Sequence, residues 1–386
     1  MKRILQTCFY RLYFLYASVA IRCSYHHQYK KGQIRYLSKA DYKIWRRAML
    51  DLMKEHFLHD YGFTSRIVYQ TFAKAKIETV RVRPVEDVTT PIVVLCVKND
   101  LQRLTMLVEH YRMLGVERFA FVDNGSTDGT WEWMLEQPDI DLFRTDELYN
   151  CFAKEGWLCR VVSHYGFGRW YVLTDSDELM TYIGMEEHPI RELVACAEAA
   201  GAVRVKGLNM DMYADSPLYS IASKEVDIRQ TYCWMDKDSY RQIPRKVAGS
   251  TITAVVGGPR DRVMGVPCSV MKYPLVYFAP GTVSADAHFQ FPYDKIEASP
   301  FWIGILHYKF LDIDKKENER RAKLYQEFSS GLNKSANYYT KYVEATKDSV
   351  NFMYDGSVRF QSSQSLKQIP LIRPVPFGQD VHEQTR

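Results

Sequence analysis

A doubly wound α/β sheet is the fold class that this sequence predicts, and three observations predict it. Ile92 to Val97 is a continuous apolar, mostly β-branched run, the pattern of a strand buried on both faces. From there strand and helix patterns alternate four times with short connections, which is how a mostly parallel sheet with helices on both faces is wound. The polar motifs fall directly after strands, at the carboxyl ends where open α/β sheets bind ligands.

The chain has 386 residues, 46% hydrophobic and 25% charged, which excludes disordered and low-complexity classes. Its charge is uneven. Residues 1–50 hold eleven Lys and Arg against the single acid Asp41, so +10 sits there and −5 in the remainder of a +5 chain. A nucleic-acid binder needs its cations on the globular body, so that class is excluded, whereas a basic arm suits an anionic membrane surface. The charge-free run Leu12 to Ile21 would rise only about 15 Å as a helix, half a bilayer core. It cannot span. An amphipathic helix in the membrane interface is expected, sinking Phe9, Tyr10, Tyr13, Phe14 and Tyr16, and a helix packed on the body fits the same pattern. Eight cysteines without a C-x-x-C pair read as neither a zinc cage nor a disulfide framework, and a reducing cytoplasm is expected.

Residues 36–60 repeat Ile44, Trp45, Met49, Leu50, Met53 and Phe57 at helix spacing. Three segments are expected: a basic helical extension over 1–85, the main domain over 86–345, and a partly mobile extension over 346–386. In the main domain the strand at 92–97 is followed by a helix at 101–114, with Leu104, Leu107, Val108, Tyr111 and Leu114 on one face. A strand at 118–122, a helix near 129–137, a strand at 140–144, a helix at 151–165 and the strand Tyr171–Thr174 complete the alternation. A further helix is expected at 188–200, and residues 311–345 read as a charged, exposed helical pair broken near Ser330-Gly331.

Three of the strands end in polar motifs. The first runs into Lys98-Asn99-Asp100, the second into Asp123-Asn124-Gly-Ser126-Thr-Asp-Gly-Thr130, and the fourth into Asp175-Ser-Asp177-Glu178. Asp175 and Asp177 project to one side of an extended chain, and two such carboxylates repel unless a cation joins them. Oxygen ligands of this kind suit Mg²⁺ or Mn²⁺ with positions left for phosphate oxygens. Read blandly, the acids form a solvated loop capping the next helix, and Ser126 or Thr127 serves as an ordinary N-cap.

VDNGSTDGT after a strand resembles the nucleotide-sugar signature of the family 2 glycosyltransferases, and YVLTDSDEL resembles their D-x-D box. Asp211-Met-Tyr213, Gly257-Gly-Pro-Arg260-Asp-Arg262, His288 and Leu306-His307-Tyr-Lys309-Phe310 extend the likeness to a family-2-like bacterial branch with a D-x-D-E box, related to family 92. The resemblance covers roughly residues 88–345. It implies a GT-A fold in which Asp123, with Lys98, Asn99, Asp100, Asn124 and Ser126, borders the nucleoside, usually a uridine. Asp175 and Asp177 would hold Mn²⁺ or Mg²⁺ against the diphosphate, His307 and His288 could complete its sphere, and Arg260, Arg262 and Lys309 would meet the phosphate charge. Asp211, then Asp236, match the acceptor side and are the expected catalytic bases. The family's usual E-D pair is absent after residue 178, which leaves inversion or retention open.

The function implied is transfer of a sugar from a nucleotide-sugar, a UDP-sugar first, to a glycan or lipid-linked glycan in surface polysaccharide synthesis, at the inner face of the cell membrane. Tyr213, Tyr232, Trp234 and Tyr240 would offer stacking faces to the acceptor. Two rivals remain. A nucleotidyltransferase would open with a Gly-rich basic loop that Val97-Lys-Asn-Asp100 lacks, and a non-catalytic carbohydrate-binding scaffold could keep the same fold.

Overall fold

The computed structural model describes residues 39–60, 75–84, 90–149, 151–247, 250–284, 288–292, 298–328, 334–347 and 349–378, with helical residues 8, 11, 12, 15, 16, 18–20 and 23. Phe9, Tyr10, Tyr13 and Phe14 of the expected interfacial helix, and the chain beyond 378, lie outside the described residues.

In chain order the elements are α1 (Lys39–Asp60), β1 (Glu78–Arg81), β2 (Ile92–Val97), α2 (Leu101–Met113), β3 (Phe119–Asp123), α3 (Thr130–Glu136) and β4 (Ile140–Arg144). Then come α4 (Cys151–Tyr165), β5 (Arg169–Leu173), β6 (Glu178–Thr181), α5 (Ile190–Ala199), β7 (Arg204–Asp211), α6 (Ile228–Thr231), β8 (Trp234–Asp236), β9 (Tyr240–Val247) and β10 (Ser250–Gly257). The last are α7 (Pro259–Met264), β11 (Met271–Phe278), β12 (Val283–Ser284), β13 (Gln290–Phe291), β14 (Ala298–His307), α8 (Ile313–Phe328), α9 (Lys334–Ala345) and β15 (Ser357–Arg359). The helix and strand patterns of the first half match these elements to within a residue or two.

Nine strands form one sheet in the order β1-β4-β3-β2-β5-β11-β7-β14-β6. β2, the most continuous apolar run, lies between β3 and β5 with five of its six residues buried. α2 buries Leu104, Leu107, Val108 and Tyr111, the stripe its spacing requires. The sheet is mixed, within the expected α/β class. β2 to β5 run parallel among themselves and β7 parallels β14, but β11 enters antiparallel between β5 and β7, and β1 and β6 are antiparallel edges. The reason is sequence distance: β11 comes a hundred residues after β5, beyond the reach of a local βα pattern.

Both expected segment boundaries are corrected. β1, inside the first segment, pairs with β4 and belongs to the main sheet, and α1 buries Trp45, Met49 and Leu52 in the common core. At the other end β15 pairs with β8, Trp302 bridges to Arg373, and Leu366, Ile369, Ile372 and Val375 are core residues. Few apolar residues in that tail suffice because these four are buried and Phe360, Leu371 and Phe377 pack against the same core.

β14 is threaded between β7 and β6 at a glycine. A Cβ on Gly304 would stand 2.5 Å from Met210 Cε, 3.0 Å from Thr181 Cγ2 and 3.1 Å from Leu366 Cδ2. Gly304→Ala should therefore cost about 1–3 kcal/mol through overpacking, read as a lower urea midpoint. An unchanged midpoint would contradict this packing.

Candidate active site

Strand register brings the chemistry together. In the β14–β6 pair His307 lies opposite Glu178, and in the β14–β7 pair His307 lies opposite Asp211. Three strand ends thus meet at one imidazole. Asp177, one residue before β6, accepts through its backbone oxygen from Tyr308 N at 2.8 Å and turns its side chain to the same ring. His307 Nε2 is 3.3 Å from Asp177 Oδ2, and Nδ1 is 2.6 Å from Asp211 Oδ1. Burial alone would lower the His307 pKa, but the Asp177 and Asp211 carboxylates on either side push it up to about 9.

Asp211 is 1% exposed and fully engaged. Arg260 donates to it with Nε at 2.7 Å and with its second nitrogen at 2.9 Å, and a further guanidinium nitrogen of Arg260 donates to Tyr338 Oη on α9 at 2.7 Å. Burial would raise the Asp211 carboxyl, yet Arg260 and His307 pull it down to about 2. Asp236, also buried, accepts two hydrogen bonds from Arg262 and one from Tyr213 Oη, and the Arg262 guanidinium lies 3.8 Å over the Tyr354 ring. Both expected bases are thus engaged by arginines, Asp211 by Arg260 and Asp236 by Arg262, and Asp211 also by His307.

Asp175 is held differently. Lys154 of α4 donates to its Oδ1, and Lys272 of β11 lies 3.5 Å from Oδ2. Burial opposes ionisation of Asp175, but the two lysines hold its pKa well below the usual carboxylate range. Lys272 also donates to Glu178 Oε1 at 2.5 Å, which Asn209 Nδ2 meets at 3.0 Å. The ligand atoms of Asp177, Glu178 and His307 lie within 4.8 Å of one another, the one such grouping among the described residues. Two carboxylates and an imidazole suit Mn²⁺ or Mg²⁺, with Glu178 shared with Lys272. Asp175 stands beside this group and not in it, and His288 belongs elsewhere, with its Nδ1 2.9 Å from Met271 O.

The loops before this group are laced to it. Asn99, at φ 54°, donates its N–H to Ser126 Oγ and accepts from Thr127 N, which joins the β2 and β3 ends. Asp100 heads α2 without capping it, because its carboxylate takes Arg103 and Ser176 Oγ instead, and Arg103 continues to Asp314 on α8. Lys98 is exposed. Asp123, expected to face a nucleobase, is fully buried and accepts from the N–H groups of Gly125 and Ser126, with Arg144 Nε 3.4 Å away. Its side chain builds the turn. Asn124 likewise donates to the carbonyls of Thr145 and Glu147.

Among the cations, Arg260 and Arg262 are committed to carboxylates, whereas Lys309 makes no hydrogen bond or ion pair among the described residues. Burial would lower its pKa, but Tyr339, Tyr338 and Asp177 nearby raise it. Arg321 of α8 donates to Tyr339 Oη at 3.0 Å. Sequence reasoning missed Lys154, Lys272, Arg321, Tyr338 and Tyr339. The charge alternation of α8 and α9 read as solvated surface, and no local pattern signals that Tyr338 meets a residue 78 positions earlier.

No family model and no curated protein matches the chain. Fifty-five solved chains match in structure. S. aureus TarS 1-349 is 11% identical, with 66% of this chain and 71% of that one covered and a TM-score of 0.29. Glucosyl-3-phosphoglycerate synthase from Mycobacterium tuberculosis, solved with Mn²⁺, UDP and phosphoglyceric acid, is 18% identical over 35% of this chain at a TM-score of 0.23. The chain spans about half the length of that synthase, 51%. 4-Diphosphocytidyl-2C-methyl-D-erythritol synthase is 11% identical, with 50% and 75% covered and a TM-score of 0.27. Likeness at these scores carries no argument about substrate; the functional reading rests on the site.

The charge on His307 sets a pH dependence. With its pKa raised from 6.5 to about 9 on folding, the imidazolium contributes stability that is fully present below pH 6.5 and lost as pH rises through about 9. Asp211 acts in the opposite sense, stabilising above pH 3.8 and losing its contribution as pH falls towards 2. The melting temperature of metal-free protein should fall more between pH 7 and pH 10 than that of His307→Asn. Equal slopes would show that His307 is not charged at neutral pH.

Proposed function

We propose that the chain is a metal-dependent glycosyltransferase of GT-A type that moves a sugar from a nucleotide-sugar, a UDP-sugar first, to a hydroxyl of a glycan or lipid-linked glycan acceptor. The observation that carries this reading is the convergence of Asp177, Glu178 and His307 at the ends of β6 and β14, with Lys309, unpaired among the described residues, close to Asp177. A bound Mn²⁺ or Mg²⁺ would neutralise the diphosphate as it departs. Lys309, with Arg321 and Tyr339 from the helices beside it, would meet the same negative charge. Lys98, Asn99 and Ser126 would border the nucleoside on the loop pair that Asp123 and Asn124 shape.

In the transfer, an acceptor hydroxyl oxygen bonds to the anomeric carbon, the bond from that carbon to the phosphate oxygen breaks, and the nucleoside diphosphate leaves. The hydroxyl proton must go to a base, and stereochemical outcome follows from where that base stands. The locked state of Asp211 and Asp236 favours one second reading, a carbohydrate-binding scaffold without turnover.

The place of action proposed is an anionic membrane surface on the cytoplasmic side, in the making of a surface polysaccharide. No described helix is long and apolar enough to cross a membrane. Leu12, Leu15, Tyr16 and Val19, at helix spacing, are 56–71% exposed beside the basic N-terminal residues. Removing residues 1–35 should release the protein from phosphatidylserine-containing vesicles with its core still folded; vesicle binding that survives the deletion would refute the attachment.

The test of the catalytic reading is a thermal-shift titration with UDP, GDP, CDP and CMP, each with Mn²⁺ and with EDTA. A Mn²⁺-dependent rise of about 2–3 kcal/mol equivalent at a hundredfold excess over Kd is expected with UDP and is expected to vanish in Asp177→Ala. Release of UDP from a UDP-sugar when acceptor is added separates the enzyme from the scaffold. A full response in Asp177→Ala would sink the metal assignment.

A further inference from the structure

The pair of interactions around Asp211 gives that residue a task that neither an acceptor-side base nor a phosphate site explains. We propose that Asp211 is a positioning residue for the metal site: it fixes the His307 imidazole so that Nε2 alone is presented to the cation, and Arg260 is the clamp that holds Asp211 in place. This rests on the metal reading of Asp177, Glu178 and His307 and deepens it.

An imidazole offers a metal only the nitrogen that carries no proton, and the hydrogen bond at the other nitrogen decides which one that is. His307 Nδ1 is 2.6 Å from Asp211 Oδ1, a carboxylate oxygen that can only accept, so the Nδ1 proton is kept there. Nε2 lies 3.3 Å from Asp177 Oδ2, on the side where the ligand atoms gather, and is the nitrogen whose proton an incoming cation would displace. The backbone supports this geometry, since Asp211 and His307 are register partners and Met212 N donates to His307 O at 2.9 Å.

Arg260 does two things for Asp211. Its fork onto both carboxylate oxygens fixes the plane of the carboxylate, and its third nitrogen is tied to Tyr338 Oη, which fixes the fork itself. The Gly257-Gly258 pair makes the clamp possible. A Cβ at Gly257 would lie 2.1 Å from Ser239 O, and Gly258 adopts φ 84° with its Cβ position 3.7 Å from Asp211 Oδ2. Only glycines let α7 start so close to Asp211, with Pro259 and Arg260 at its first turn. The Gly-Gly-Pro-Arg segment is thus a clamp on the carboxylate behind the histidine, and Arg260 is spent before any phosphate arrives.

The experiment is Mn²⁺ binding to the full chain, followed by continuous-wave EPR of the free ion and by pulsed EPR for coupling to an imidazole nitrogen. Wild-type protein should bind Mn²⁺ with a nitrogen coupling that disappears in His307→Ala. Asp211→Ala should weaken Mn²⁺ about 10- to 100-fold and broaden or abolish that coupling. Asp211→Asn, which keeps shape and an accepting oxygen, should recover part of the loss, and Arg260→Lys, which keeps charge without the fork, should fall between it and wild type. Circular dichroism identifies variants that fold, and the isosteric Asp211→Asn keeps the question answerable if Asp211→Ala does not. Undiminished affinity and intact coupling in folded Asp211→Asn and Arg260→Lys would overturn the positioning role while the metal reading stands. Wild-type protein that takes up no Mn²⁺ would overturn both.

Discussion

The structure turns on one imidazole held between two carboxylates at the meeting of three strand ends. His307 has Asp177 on one nitrogen and Asp211 on the other, and each acid arrives from a different neighbour of β14. Leaving any member unpaired would strand a buried charge, a cost of about 3–5 kcal/mol. The cluster therefore constrains the segments around it: α7 delivers Arg260, α9 delivers Tyr338, and Arg103 ties the β2 end to α8 through Asp100 and Asp314.

This arrangement separates two kinds of acid that a sequence shows alike. Asp175 and Asp177 sit two residues apart in one motif, yet Asp175 is gripped by Lys154 and Lys272 while Asp177 faces an imidazole. The two acids of one motif thus have different partners, lysines for Asp175 and an imidazole for Asp177. Lys309 shows the same logic with the opposite sign. It has no ion-pair partner among the described residues while Arg260 and Arg262 are taken, and a group in that condition is stabilised by an incoming anion.

Much of this was legible in the sequence, and what was not has a physical reason. The buried run of β2, the stripe of α2 and the motif-bearing strand ends are local patterns, and the loops that follow those strands are bonded to one another. His307 stood out as a polar group in an apolar strand that needs a partner, and it has two. The roles of Asp211, Asp123 and Arg260 were not legible because a carboxylate's partners are set by strand register and by a glycine turn dozens of residues away. The same holds for β11, whose entry between β5 and β7 no βα pattern announces, and for the last thirty described residues, whose sparse apolar side chains all found core.

The central claim is that the cation takes the place between Asp177 and His307 Nε2, with Asp211 behind the ring. Anomalous diffraction from crystals grown with Mn²⁺ and UDP tests it most directly. The account predicts one manganese peak within about 2.5 Å of an Asp177 oxygen and of His307 Nε2, with the Asp211 contact to Nδ1 retained. A peak held by Asp175 with His307 still bonded to Asp177, or binding of UDP without any manganese peak at this position, would contradict it.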